Sequence, residues 1–411
     1  MKNSSLAFSA NEKCHTPIII LAIIIGTSIK LFYALTTVGT NDVVCWATFM
    51  DHVVEHGSVD IYKNIWYYNH PPLMSLMLAV FHKLQDYLPN GFPFLIRLPA
   101  ILADIGSCIL VYQLIKTYKD AKSALFATIV VALSPILIFV SGFHGNTDPV
   151  FMFLIMLSAY FYLRYERVIL PALILGLALN IKIVPIITVP AFFFFTKGWK
   201  NKILFCTTLS MVFLSGFIYH AVADFEHLYR NIFQYSGLSG IWGIGQVLSY
   251  HFSPEIAKLY NPFGKLLIFF SVTFSMLKLS GIFQNKCLAD QNDKSASSNP
   301  EKSREFLFAL SWTFLLFFVF TPGFGVQYLV WLVIPTVILD LRGALAVNIT
   351  GGFFLFMVYT FWSGGFPWHY ANSDKMGSWQ GIPSACALLL WLILFFWVIK
   401  ILRDKEHLAT L

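Results

Sequence analysis

Long apolar runs recur along almost the whole chain, beginning with the stretch from Ile18 to Val38. A helix needs about 20 mostly apolar residues to cross a bilayer, and inside hydrocarbon every backbone polar group has to find a partner within the protein. The composition agrees, since 57% of the residues are apolar, only 12% are charged and 41 of the 411 are Phe. These features predict an all-α polytopic membrane protein.

The apolar runs can be threaded into about 12 transmembrane helices with the N-terminus inside, because that orientation collects most Lys and Arg residues on the cytoplasmic side. The run 71–88 is short and contains charged residues, so we assign it to the membrane surface. Two short spans within 168–196 are interrupted at Lys182 and Pro185, a pattern that predicts broken helices.

This threading predicts a single membrane-embedded domain over residues 1–411. A first outer loop at 39–93 carries interfacial helices, and the polar stretch 285–304 is expected to be a flexible cytoplasmic loop. The chemically interesting polar residues then come from several loops on the outer side. We take this convergence on one face as the sign of a functional site.

Several classes of function lose support from the sequence. The six cysteines are scattered without paired spacing, which predicts neither a disulfide framework nor a metal site. The net charge of +7 is explained by cytoplasmic Lys and Arg residues and gives no reason to invoke nucleic acid. The GxxxxGK and HExxH motifs are missing, so cytosolic nucleotide hydrolysis and zinc proteolysis are not expected.

Asp42 lies near the start of the first outer loop. Trp46, Phe49 and Val53 follow it at helical spacing, so the segment 42–56 is predicted to form a surface helix with Asp42 in its first turn. A carboxylate there suits activation of a hydroxyl nucleophile by general-base catalysis. An Asp at a helix start also commonly serves as a cap, and both interpretations stay open at this point.

Further candidates follow in the same loop and in a later turn. Pro71 and Pro72 restrict the backbone around His70, which either aims its imidazole at a ligand or belongs to a wet turn without one. The turn that contains His144 and Asp148 places an imidazole and a carboxylate between two spans, although Asp148 could equally cap the next helix.

Lys182 lies between two apolar stretches, where an ammonium group is costly unless it is paired or reaches water or an anion. Arg97 raises the same question near the start of a span. Cations at a lipid boundary suit a phosphate group, and the carboxylate of Asp42 suits a general base. Together they predict transfer of a group from a phosphate leaving group.

Several separated motifs carry a resemblance to a known family. They are Thr40-Asn41-Asp42, Tyr68-Asn69-His70-Pro71-Pro72-Leu73, Arg97-Leu98-Pro99, His144-Gly145-Asn146-Thr147-Asp148, the run from Gly176 to Pro185, and the run from Pro322 to Trp331. In order and sidedness they resemble the GT-C superfamily of integral membrane glycosyltransferases, which use polyprenyl-phosphate or dolichyl-phosphate sugars as donors. The last motif resembles the mannosyltransferase-like branch.

The resemblance implies that Asp42 is the catalytic base and that the sugar's anomeric carbon is inverted as the lipid phosphate departs. It implies donor-phosphate binding by Lys182 and Arg97, and by His70 at a position where many relatives have Lys or a polar residue. Substrate binding is assigned to a further set, which is His144, Asn146, Asp148, Tyr68, Gln327 and Tyr328. No metal ligand is assigned; we expect no cofactor, with a divalent ion left open.

We therefore expect transfer of a sugar, such as the hexose mannose, from a polyprenyl-phosphate donor to a lipid, glycan or protein acceptor on the noncytoplasmic side. The expected location is multi-pass in a bacterial plasma (inner) membrane, with the endoplasmic reticulum as the other option. The alternatives are a secondary transporter or lipid flippase and a catalytically silent assembly subunit. The placement of polar groups at one boundary favours the enzyme, because transporters usually carry ionisable residues near the membrane midplane.

Overall fold

The computed structural model describes residues 10–165, 167–235, 237–289 and 300–409. Most of these residues are helical. The helices are α1 Ala10–Thr36, α2 Asn41–His56, α3 Asp60–Asn64, α4 Pro72–Leu84, α5 Gly91–Lys116, α6 Ala121–Ala132, α7 Pro135–Phe139, α8 Asp148–Tyr165, α9 Ile169–Ile181, α10 Val189–Phe195, α11 Trp199–Phe233, α12 Gly243–His251, α13 Pro254–Ala289, α14 Pro300–Phe320, α15 Val330–Leu339, α16 Leu341–Ser363, α17 Ser373–Met376 and α18 Ile382–Ala409.

Eight helical segments of the described residues are long and apolar enough to cross a membrane. They are His15–Thr36, Gly91–Lys116, Ala121–His144, Trp199–Phe233, Pro254–Gly281, Pro300–Phe320, Leu341–Ser363 and Ile382–Asp404. Three shorter apolar helices are Ile169–Ile181, Val184–Phe195 and Val326–Leu339. The prediction of an all-α polytopic membrane protein is confirmed, whereas the predicted number of spans is not.

The loop between α1 and α5 contains the three short helices α2, α3 and α4. Their apolar side chains, such as Trp46, Tyr62 and Leu78, form a second hydrophobic cluster together with residues of α5 and α11. The larger cluster lies among the long helices. Helix α4 has 13 residues, too few to cross a bilayer, so its length agrees with the surface position predicted for it.

Two of the apolar segments are broken. The break at Lys182 and Pro185 is predicted from the sequence, and a second break precedes Pro135. Helix α9 ends at Ile181, Lys182 has extended backbone, and a 3₁₀ turn begins at Val184 beside Pro185. The span Ala121–His144 is interrupted before Pro135 and ends in a π-helix, Val140–His144. A π-helix widens the last turn and changes the direction of the side chains that follow it.

Two pairs of short strands join loops that are far apart in the chain. Strand β1 (Gly39–Thr40) pairs in parallel with β4 (Tyr370–Ala371), and β2 (Leu238–Ser239) pairs antiparallel with β3 (Gly323–Phe324). The outer-side loops predicted from the sequence are therefore brought together by backbone hydrogen bonds.

The stretch 285–304, predicted as a flexible loop, is helical at both of its ends. Helix α13 continues to Ala289 and helix α14 begins at Pro300. The remaining positions 290–299 lie outside the described residues, so the prediction for them stays a prediction.

Candidate active site

A cavity of about 140 Å³ lies where the ends of α2, α9 and α11 meet the turn before α15. It is mostly polar and is surrounded by aromatic rings. Its lining residues are Asp42, Cys45, Trp46, Phe49, Tyr67, Asn69, His70, Asn146, Lys182, Tyr235, Gln327 and Tyr328. Five residues of the predicted site therefore share one cavity with Asp42.

The cap of helix α2 is Thr40, whose hydroxyl accepts a hydrogen bond from the backbone N–H of Asp42. Asp42 is thus in the first turn but is not the capping residue. Its Oδ2 atom accepts hydrogen bonds from His144 Nε2 at 3.0 Å and Asn146 Nδ2 at 3.1 Å. Its Oδ1 atom has no hydrogen-bond partner within the described residues, and 31% of the side chain is exposed. One carboxylate oxygen is therefore held and the other is free for a ligand.

The turn after the π-helix aims its polar side chains because its backbone is unusual. Gly145 has φ +80°, which L side chains rarely adopt, and a Cβ there would lie 2.3 Å from Val43 Cγ2. The close approach of this turn to helix α2 brings His144 and Asn146 against Asp42. Asn146 also accepts a hydrogen bond from the backbone N–H of Asp148.

Lys182 and Asp148 form an ion pair at the inner wall of the cavity. Lys182 Nζ lies 2.6 Å from Asp148 Oδ1, and Trp331 Nε1 donates to Asp148 Oδ2 at 2.8 Å. The ammonium group also lies 5.0 Å from the ring centre of Tyr328. The carboxylate of Asp148 is fully buried and doubly paired, so Asp148 neither caps helix α8 nor faces the ligand space. Lys182 keeps one side toward the cavity.

Asp42 and His70, which lie outside the spans, are two polar groups of the cavity whose pKa values are shifted. Burial of Asp42 acts to raise its pKa, but His144, the hydrogen bond from Asn146 and the charge of Lys182 outweigh it and hold the pKa below its usual value. Burial and the nearby Lys182 lower the pKa of His70 to about 3. Asp42 is therefore a carboxylate at neutral pH. His70 is a neutral imidazole whose ring packs against Trp46 with centroids 4.2 Å apart.

Arg97 does not line the cavity, contrary to the phosphate-binding role predicted for it. Its side chain is completely buried, and the guanidinium donates to carbonyl oxygens of Ala34, Thr37, Val38 and Phe143. These carbonyls belong to the end of α1 and to the π-helix. Arg97 joins the two elements because its planar, forked donors can reach several acceptors at once.

Tyr68 does not line the cavity either. It is fully buried against Phe49 and Tyr62, while its chain neighbours Tyr67 and Asn69 face the cavity.

The sequence interpretation also missed residues that complete the site from distant segments. Tyr235 follows α11 and lines the cavity, and the hydroxyl of Tyr359 in α16 lies 3.0 Å from His144 Nδ1. Trp331 stood in one of the quoted motifs, but nothing local to it indicated the contact with Asp148. Within the described residues, no group of three or more His, Cys, Asp or Glu side chains is arranged to hold a metal ion.

The fold and the site together define the class as a polytopic helical membrane protein with a carboxylate and an ammonium group around a cavity. A family model described as dolichyl-phosphate-mannose-protein mannosyltransferase matches residues 69–223. GPI mannosyltransferase 1 of Candida albicans is 24% identical over 139 residues, which are 33% of this chain. The chain spans about a third of the length of that curated relative. These matches confirm the resemblance to mannosyltransferases of the GT-C type.

The family match and the cavity overlap only in part. Residues 69–223 include His70, His144, Asn146 and Lys182, whereas Asp42 precedes the matched segment. The assignment of Asp42 as a functional residue therefore depends on its contacts with the matched part of the chain, which are those to His144 and Asn146.

Proposed function

We propose that this protein transfers mannose from a polyprenyl-phosphate or dolichyl-phosphate carrier to an acceptor hydroxyl, with inversion at the anomeric carbon. The observation that carries the proposal is the free Oδ1 of Asp42 in a cavity that Lys182 also lines. Within one cavity, the base can take the proton of the acceptor hydroxyl and the cation can stabilise the phosphate that leaves. The names of the matched family and relative supply the sugar and the type of donor.

In the proposed step, the acceptor hydroxyl loses its proton to Asp42 Oδ1 and its oxygen forms a bond to the anomeric carbon. The bond between that carbon and the phosphate oxygen breaks, and its electron pair leaves with the lipid phosphate. A correctly placed general base contributes about 100-fold to 10,000-fold to such a rate. Lys182 stabilises the negative charge that develops on the departing phosphate, since a cation in a partly dry site acts more strongly than in water.

The aromatic walls suit a sugar ring. Trp46, Phe49, Tyr67, Tyr235 and Tyr328 line the cavity with apolar rings, and the tyrosines add hydroxyl groups. A hexose has C–H groups on its faces and hydroxyl groups around its rim, so both parts find complementary surfaces. His70, which is neutral and packs against Trp46, contributes hydrogen bonding rather than charge.

We further propose that transfer requires no divalent ion. The carboxylates of Asp42 and Asp148 are the acidic groups of the site, and each already has partners, which are His144 with Asn146 and Lys182 with Trp331. A divalent ion prefers several unengaged oxygen ligands. Transfer measured in excess EDTA should therefore equal transfer in added Mg²⁺ or Mn²⁺, and a rate restored only by one of these ions would contradict this part of the proposal.

The transporter or flippase alternative is not favoured, because the matched family and relative are mannosyltransferases. One ionisable pair within the spans, Lys30 and Asp104, is closed, with 2.7 Å between Nζ and Oδ2 and almost no exposure. We place the reaction at the noncytoplasmic face, in a bacterial plasma membrane by preference and otherwise in the endoplasmic reticulum. The acceptor is a glycan, lipid or protein hydroxyl.

The test compares Asp42→Asn with Asp51→Asn in purified protein reconstituted into lipid nanodiscs. Asp51 lies on the same helix with an exposed side chain, so it controls for the loss of a carboxylate from α2. Undecaprenyl-phosphate and dolichyl-phosphate carrying radiolabelled mannose are supplied with membrane extract as the acceptor source. We expect Asp42→Asn to lower the transfer rate by at least about 100-fold and Asp51→Asn to leave it unchanged. Full activity of folded Asp42→Asn would remove the base from the proposal.

A further inference from the structure

The imidazole of His144 is held at both of its nitrogens. Nε2 lies 3.0 Å from Asp42 Oδ2, and Nδ1 lies 3.0 Å from the hydroxyl oxygen of Tyr359. His144 is 3% exposed and Tyr359 is completely buried, so the imidazole and the hydroxyl that faces it are both shielded from bulk solvent. The Tyr359 hydroxyl makes no other hydrogen bond within the described part of the chain.

The positions of the protons follow from what each group can donate. An ionised carboxylate only accepts hydrogen bonds, so His144 Nε2 must carry a hydrogen to bond Asp42. If the ring is neutral, that hydrogen is its single N–H, and Nδ1 is then bare and able to accept. A tyrosine hydroxyl can donate to that bare nitrogen. In the other neutral tautomer, the lone pair of Nε2 would face the Asp42 carboxylate.

We propose that Tyr359 is a positioning residue that donates its hydroxyl hydrogen to Nδ1 and so fixes His144 as the Nε2–H tautomer. This inference rests on the proposed function, in which Asp42 is the base. By keeping Oδ2 of Asp42 engaged with His144, the hydroxyl of Tyr359 leaves Oδ1 as the oxygen that takes the acceptor proton. Tyr359 acts through His144 and does not touch the substrate.

The surroundings of Tyr359 fix its ring independently of the hydroxyl. The ring packs against Phe143 with centroids 5.3 Å apart, against Trp368 at 5.4 Å and against Trp362 at 6.1 Å. Replacement by Phe keeps these contacts and removes a single oxygen. A change of activity in Tyr359→Phe can then be assigned to the lost hydrogen bond with His144.

The first test is a double-mutant cycle between Tyr359→Phe and His144→Gln. The amide nitrogen of Gln can reach the place of Nε2 and has no second tautomer to choose, so the hydroxyl of Tyr359 should lose its importance. We expect Tyr359→Phe alone to lower kcat about fivefold with the KM for the mannosyl donor unchanged, the worth of one net hydrogen bond. In the His144→Gln background the same change should have no effect.

Tyr118→Phe is the control, since Tyr118 is a partly buried tyrosine whose hydroxyl donates to a backbone carbonyl, that of Ile338, and it does not line the cavity. It should leave kcat unchanged. An equal loss from Tyr359→Phe in both His144 backgrounds, or no loss in either, would overturn the proposal. His144→Asn, whose shorter amide cannot reach Asp42 in the same way, should be less active than His144→Gln.

A second test does not depend on transfer activity. ¹⁵N-histidine NMR of the protein in membranes distinguishes the two neutral tautomers, and the signals of His144 are identified by their absence from His144→Gln. We expect a bare Nδ1 in the wild type and a mixture of tautomers in Tyr359→Phe. Protonation of both nitrogens in the wild type, or identical spectra for the two proteins, would refute the assignment. If the wild type transfers no mannose, the proposed function fails while this spectrum still decides the tautomer.

Discussion

His144 Nε2 lies 3.0 Å from Asp42 Oδ2 although 102 positions separate the two residues in the chain. The contact exists because the span Ala121–His144 ends in a π-helix and the following Gly145 allows the turn to pass close to helix α2. A regular α-helical end would point His144 elsewhere, since a π-turn rotates the residues after it. The base and its partner are thus positioned by backbone irregularity.

Lys182 and Asp148 provide a prediction that separates stability from transfer. Lys182→Met leaves the fully buried Asp148 carboxylate without its cation, which costs about 3 kcal/mol of folding stability or more. Adding Asp148→Asn removes the stranded charge and should restore most of the unfolding temperature. Transfer should stay lost in the double variant, because no cation remains for the phosphate. If transfer recovered together with stability, the role of Lys182 would be structural only. The variant Lys182→Arg tests whether another cation can replace the ammonium group.

Arg97 is predicted to matter for folding and not for donor affinity. Arg97→Lys keeps the charge, but a single ammonium group cannot reach the carbonyls of both the α1 end and the π-helix. We expect a lower unfolding temperature and less folded protein, with the KM for the mannosyl donor unchanged in what folds. The exposed Arg230 allows Arg230→Lys as the control. A raised KM at normal stability would return Arg97 to the donor site.

The sequence could predict the membrane class because hydropathy is a local property of each segment. It could also predict that Asp42, Asn146, Lys182 and Gln327 share a site, since their loops lie on one side of the threading. It could not predict the role of Arg97, because the carbonyls that Arg97 binds are available only where α1 ends beside the π-helix. An Arg or Lys at the end of an apolar segment gives the same sequence pattern whether its side chain binds a phosphate or backbone carbonyls.

The number of spans and the contact with Tyr359 were beyond local reasoning for a related cause. Apolar segments as short as Ile169–Ile181 can cross a membrane only when they pack with neighbouring segments. Their hydropathy alone therefore does not show whether they span it. Tyr359 lies in an apolar helix 215 positions after His144, and nothing in its own segment marks it as a hydrogen-bond donor to the site. Both features are properties of the tertiary packing.

His70 should make folding stability depend on pH. Burial and Lys182 lower its folded-state pKa from 6.5 to about 3. As pH falls below 6.5 the unfolded chain binds a proton that the folded protein cannot, so stability is lost progressively until about pH 3. In His70→Gln, the drop in unfolding temperature between about pH 7 and about pH 4.5 should be smaller. The exposed His56 offers His56→Gln as the control, which should keep the wild-type dependence.

Asn146 should set the acid limit of transfer through Asp42. The net effect of burial, His144, Asn146 and Lys182 is a pKa of Asp42 below 3.8, so the carboxylate needed for catalysis persists as pH falls through the range where an ordinary Asp is protonated. Asn146→Ala removes one donor to Oδ2 and raises this pKa. The rate then begins to fall at a higher pH on acidification.

The measurement is the pH profile of kcat/KM for the mannosyl donor, because that profile reports groups of the free enzyme. Asn69→Ala is the control, since Asn69 also lines the cavity but makes no hydrogen bond to Asp42 in the described residues. Asn146→Ser, whose hydroxyl can still accept from the backbone N–H of Asp148, serves if the alanine variant folds poorly. An acid limb that does not move in either Asn146 variant would mean that Asp42 is not the group whose protonation stops the reaction.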